Sequence, residues 1–132
     1  MMPSQTIQNK LHEFHTAFGC PSTKDKDDFN ILRLAESLIT EEYHEVLEAI
    51  DDWSAGEDTV ARRAHLLKEL ADLAYVCVFF AEVYGWNFDV GFNRVHKSNM
   101  SKLGADGKPI RNETGKVVKG PNYKEPNLED LV

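Results

Sequence analysis

Two pairs of acids stand out in this 132-residue chain, Glu42 with Glu45 and Glu69 with Asp72, each pair three residues apart. Glu41 adjoins the first pair. At helical pitch, Glu42 and Glu45 fall inside the apolar stripe formed by Ile31, Leu34, Ala35, Leu38 and Ala49, and Glu41 lies at its edge. Glu69 and Asp72 likewise share a helix face with Leu73, Val76 and Phe80. Burying an unpaired ionised carboxylate in such a stripe is prohibitively costly. If the two helices pack antiparallel, the acid pairs meet, and carboxylates that close cannot all stay ionised without a counter-charge. A hard divalent cation supplies it. Mg²⁺ takes few carboxylates, keeps several waters and completes its shell with substrate phosphates, and Mn²⁺ suits the same ligands. The competing reading is structural, with Arg33, Arg62 and Arg63 neutralising the acids.

The elements that must carry these pairs read as helices. Ile7, Leu11, Phe14, Ala17 and Phe18 follow helical spacing over about 4–18, and Gly19 then Pro21 end that element. The polar stretch Lys24–Asp28 reads as a loop, with Asp28 as N-cap of a long helix to about Trp53. Ser54–Asp58 is a break; a third helix runs from about Thr59 to Tyr84, closed by Gly85, and a fourth from about Phe88 to Ser101. Beyond Leu103 the helical period stops. Asp106-Gly107 and Thr114-Gly115 signal turns, and Lys116–Lys119 forms a short strand or hairpin arm. The expected architecture is all-α: a four-helix bundle in one domain spanning 1–132, with a helical body over about 4–102 and an irregular, flexible basic tail over about 103–132.

Composition narrows the function. Fifteen basic against 22 acidic side chains give a net charge of −7, which argues against a nucleic-acid partner. The charge is uneven: residues 1–93 hold 7 basic and 17 acidic side chains, whereas residues 94–124 hold 8 basic and 2 acidic. A cationic tail after an acidic body suits an anionic ligand; the plainer alternative is solvated lysines. The longest apolar run, Leu73–Ala81, has nine residues. A membrane span needs about 20, so no membrane partner is expected. MMPSQTIQNK lacks the apolar core of a secretory signal, and Cys20 and Cys77 form no disulfide framework or zinc motif. A cytoplasmic protein is expected.

Glu41-Glu42-Tyr43-His44-Glu45, then 23 residues, then Glu69-Leu70-Ala71-Asp72 is an EExxE…ExxD pattern. With His96–Lys102, Asp106-Gly107-Lys108-Pro109 and Gly115–Tyr123, the chain resembles the all-α nucleoside triphosphate pyrophosphohydrolases: the MazG-like group, related to phosphoribosyl-ATP pyrophosphohydrolase, in its phage and bacterial branch. The resemblance covers about residues 5–128 and implies attack of a metal-activated water on the α-phosphorus of a nucleoside triphosphate, releasing pyrophosphate and a monophosphate. It implies Glu42, Glu45, Glu69 and Asp72 as Mg²⁺ ligands, with Mn²⁺ able to substitute. Glu41 becomes the general base or a second-metal ligand. Asn99 and Lys102 match phosphate-side positions, and Lys119 and Tyr123 are lid contacts. The phage branch implies a deoxynucleotide, with a purine such as dGTP among the candidates, and the host cytoplasm as location.

Base recognition is less legible. Phe14, Phe18, His15, Trp53 and Tyr75 are all available for stacking, and Phe14 and Phe18 are the preferred pair. Two other classes compete: a carboxylate-bridged di-metal bundle resting on Glu41-x-x-His44, and a non-catalytic oligomeric bundle. The apolar faces of the second and third helices exceed what one small bundle buries, and the family forms dimers or tetramers, so a homo-oligomer is expected.

Overall fold

The computed structural model describes residues 5–23 and 28–132. The expected start of the first helix at residue 4, and most of the expected loop at Lys24–Asp28, lie outside them. Four helices follow one another: α1 (Ile7–Ala17), α2 (Phe29–Ala55), α3 (Val60–Val83) and α4 (Phe88–Met100). The described residues contain no strand, and the protein is all-α. No described helix is long and apolar enough to cross a membrane.

Each helix starts where a side-chain oxygen satisfies an otherwise orphaned backbone N–H. Thr6 accepts from Asn9 N at 3.1 Å, Asp28 from Ile31 N at 3.4 Å, Thr59 from Arg62 N at 3.2 Å and Asn87 from Val90 N at 3.1 Å. The second helix outlasts its expected end at Trp53 by two residues. Ser54 does not break it, because its hydroxyl donates back to Asp51 O at 3.2 Å, and the break begins at Gly56. Trp53 Nε1 donates to Asp58 Oδ1 at 3.0 Å across the short connection, Arg63 pairs with the same carboxylate, and Arg62 donates to Glu57 O at 2.8 Å.

The described chain forms two compact units, ending at Trp86 and beginning at Asn87. In the first, α3 packs against both α1 and α2. Those two contacts bury Val78, Phe80 and Val83 of α3, whereas Leu67 and Leu70 of the same helix stay exposed. Leu11, Val46, Ala49, Val78, Phe80 and Val83 are buried there.

The second unit is α4 and the chain after it, so the compact grouping divides at residue 87 and not at the expected body–tail border near 103. This tail is not loose. Ser98 Oγ donates to Lys124 O at 2.7 Å, Lys124 N to Ser101 Oγ at 3.0 Å, Gly120 N to Lys102 O at 2.9 Å, and Arg94 Nη1 to Asn127 O at 3.0 Å. Gly120 must be glycine: a Cβ there would lie 2.6 Å from Leu103 O and 2.7 Å from Lys102 O. The expected arm at Lys116–Lys119 is half of a small hairpin with a single antiparallel bridge, Arg111 to Val117, reversed at Gly115 with φ of 84°. One bridge does not make a strand.

Candidate metal centre

The four paired acids converge. Glu42 and Glu45 from α2, with Glu69 and Asp72 from α3, each present an oxygen, and these oxygens all lie within 4.8 Å of one another. Consecutive helices joined by a short connection run antiparallel, so a pair spaced three apart on one meets a pair spaced three apart on the other. Glu69 is the deepest, only 4% exposed, while Glu42, Glu45 and Asp72 are half-buried.

The charges are only partly answered by the protein. The neighbouring Glu69 carboxyl, then that of Glu42, then loss of water push the pKa of Glu45 from 4.5 up to about 7. Lys68 Nζ lies 2.9 Å from Asp72 Oδ2 and 3.3 Å from Glu69 Oε1. His65 Nε2 lies 3.2 Å from that same Glu69 oxygen. Asp72, then Glu69, raise the pKa of Lys68 above its ordinary value. The arginines are engaged elsewhere, Arg33 with Glu36 at 3.0 Å and Arg62 and Arg63 at the α2–α3 connection. The arginine-neutralised reading is thereby corrected: these side chains serve local helix and turn contacts. Lys68 and His65 were the neighbours sequence reasoning missed, although their spacing of four to Asp72 and Glu69 is legible.

Two oxygens, Glu42 Oε2 and Glu69 Oε2, are buried without a hydrogen-bond partner. Orphaned buried acceptors are costly. An oxygen-only set of four carboxylates with two acceptors unmet fits a hard divalent cation and offers nothing to a soft one.

Glu41 stands apart from this group. It is exposed and lines a groove with Arg33, Glu36, Ser37, Thr40 and His44. His44 shares that groove and is not in the carboxylate group, so the Glu41-x-x-His44 arrangement does not form an inward ligand pair there.

Phe14 and Phe18 belong to an aromatic cluster. Phe14 stacks on Phe18 with centroids 4.5 Å apart and meets Tyr75 and Phe79 edge-on at 5.6 and 6.1 Å. Those contacts enclose Phe14, whereas Phe18 is 72% exposed. Tyr75 lies three residues beyond Asp72 on α3.

The phosphate-side candidates all belong to the second unit. Asn99 is exposed on α4, and Asn99 O accepts from Lys102 N at 3.2 Å. Lys119 Nζ sits 4.7 Å above the Tyr123 ring, a cation–π contact.

Four α-helices among the described residues and a cluster of four carboxylates that could hold a divalent cation define the class, an all-α protein with a candidate metal site. The MazG nucleotide pyrophosphohydrolase domain matches residues 29–105, α2 through α4, and the chain belongs to that family. Its enzymatic class follows: a nucleoside triphosphate pyrophosphohydrolase, a hydrolase acting on acid anhydrides, in a family of metal-dependent enzymes. No curated protein matches the chain.

Proposed function

We propose that this enzyme cleaves a deoxynucleoside triphosphate, a purine such as dGTP, to the monophosphate and pyrophosphate by water attack at the α-phosphorus. Glu42, Glu45, Glu69 and Asp72 hold Mg²⁺, with Mn²⁺ able to take its place. The supporting observation is the convergence of these four acids within 4.8 Å, with two buried oxygens unmet. Bound there, a divalent cation clamps phosphate oxygens and lowers the pKa of the attacking water. Glu41, beside Glu42 and outside the ligand group, takes the water's proton. Asn99, Lys102, Lys119 and Tyr123 hold the phosphate chain, where cationic and amide groups stabilise departing pyrophosphate. Phe18, backed by Phe14, stacks on the base.

The family match crosses from the first unit into the second, which supports reading 1–132 as one catalytic domain. Leu32, Leu34, Leu47, Ile50, Leu67 and Leu70 are exposed on α2 and α3, and a homodimer or homotetramer would cover them. We assign the chain to the phage-type branch on its SNxSK and GKVxKGPxY stretches, and to the cytoplasm of the cell that makes it.

Pyrophosphate release across the common ribo- and deoxynucleoside triphosphates, with and without chelator, tests the reading. One deoxynucleotide should lead, and chelation should stop the reaction. Glu69→Gln keeps the side chain's shape and should lower turnover more than about a hundredfold, beyond the loss typical for a group behind the ligands. Glu41→Gln should lower turnover yet leave Mn²⁺ affinity unchanged. Release that survives chelation, or an active Glu69→Gln protein, overturns the proposal; so does a protein that releases no pyrophosphate from any of them.

A further inference from the structure

Lys68 is not among the EExxE…ExxD acids, yet its ammonium lies against two of them, 2.9 Å from Asp72 and 3.3 Å from Glu69. The two sides of that contact differ sharply in burial. Glu69's side chain is 5% exposed and that of Lys68 is 66% exposed. The ammonium therefore stands at the mouth of the carboxylate group, on the side open to water. The three arginines of the described first unit are committed: Arg33 to Glu36, Arg63 to Asp58 and Arg62 to Glu57 O. Glu69 also has a second anchor, because His65 Nε2 meets the same Oε1 at 3.2 Å, so its carboxylate keeps its aim when the lysine leaves.

These facts describe a counter-ion that can be exchanged. A divalent cation and an ammonium drawn to the same carboxylates repel each other, so each weakens the other's hold. Lysine is suited to that exchange, being a compact charge on a flexible stem. Once released, its charge remains within a side chain's reach of the same carboxylates, where the phosphates of a metal-bound substrate must approach.

Resting on the proposed metal-dependent reading, we propose that Lys68 is a further substrate-binding residue: its ammonium yields Asp72 and Glu69 to the divalent cation and then pairs with the phosphate oxygens that approach that cation. Lys68 thus has two successive anionic partners, the carboxylates in the metal-free protein and phosphate in the loaded one.

The test uses the full chain, Mn²⁺ alone and inorganic tripolyphosphate as probes, and binding as readout. Lys68→Met should bind Mn²⁺ about two- to fivefold more tightly than the wild type, the range an exposed ion pair is worth. The Mn²⁺-loaded variant should bind tripolyphosphate about tenfold more weakly, a loss in the range of a hydrogen bond to a charged group. Lys68→Arg, which keeps the charge, should restore most of the tripolyphosphate affinity. Thermal unfolding verifies that each variant is folded, and Lys68→Gln replaces Lys68→Met if the latter is not. Unchanged or weaker Mn²⁺ binding in the neutral variant overturns the proposal, as does unchanged tripolyphosphate binding. A wild type that binds no Mn²⁺ at all instead defeats the metal-site reading on which it rests.

Discussion

Glu45 shares a small space with three other carboxyl groups. Its pKa rises from 4.5 to about 7 because Glu69 and Glu42 crowd it, so the folded protein holds a proton that the unfolded chain releases. That proton's contribution to stability is complete below about 4.5, the unfolded value, and is lost as pH climbs through about 7. The metal-free protein should therefore melt at lower temperature in mildly alkaline than in mildly acidic buffer, and saturating Mg²⁺ should flatten that dependence. A ligating carboxylate must be ionised, so Mg²⁺ binding near neutrality should also release protons. Calorimetric titration in buffers of different ionisation enthalpy reads that release; heats independent of the buffer would contradict the crowding described here.

At the scale of elements, the convergence of the four acids depends on where two helices begin and end. The register of Glu42 and Glu45 against Glu69 and Asp72 is set by the four-residue connection between Ala55 and Val60. Thr59 fixes the start of α3 through Arg62 N. Thr59→Ala should cost about 1 kcal/mol of stability, the usual loss for an N-cap, measured by chemical denaturation. Activity should persist, since packing against α2 still holds the register. In the second unit the controlling point is Gly120, whose Cα faces the carbonyls of Lys102 and Leu103. Gly120→Ala should separate the tail from the end of α4, raising amide exchange at Gly120 and Lys124, while exchange within α3 stays slow. Unaltered exchange at both amides would show that backbone approach is not what secures the tail.

For the whole molecule, the apolar surface of α2 and α3 sets the expectation. Leu67 is 68% exposed and Leu70 is 46% exposed, although both lie in the stretch of α3 richest in apolar residues. Light scattering should report a mass that is a small multiple of 15.0 kDa. Leu67→Glu should shift it toward the single-chain value without unfolding the helices, as read by circular dichroism. A single-chain mass for the wild type would remove the oligomer from the proposal.

Much of this protein is settled by local rules that act along the chain. Asp28, Thr59 and Gly85 mark helix ends by chemistry that needs no distant partner, and the spacing of Glu42, Glu45, Glu69 and Asp72 at helical pitch places acids on apolar faces before any packing is known. The end of α2 lies two residues beyond the expected Trp53 because Ser54 is ambiguous alone, its hydroxyl being able to leave the helix or bond back into it. Which cation answers the acids was decided only by tertiary structure. Three arginines and a lysine are equivalent charges in a sequence, but the α2–α3 connection draws in Arg62 and Arg63, Arg33 pairs along its own helix, and Lys68 alone among these four touches the carboxylate group. The pairing of distant Ser98 with Lys124, and of Lys102 with Gly120, is likewise a product of folding, since such contacts depend on a chain path that no local preference specifies. Sequence fixes what each helix face carries because helical geometry repeats; tertiary structure chooses partners because a charge answers whichever opposite group folding brings within reach.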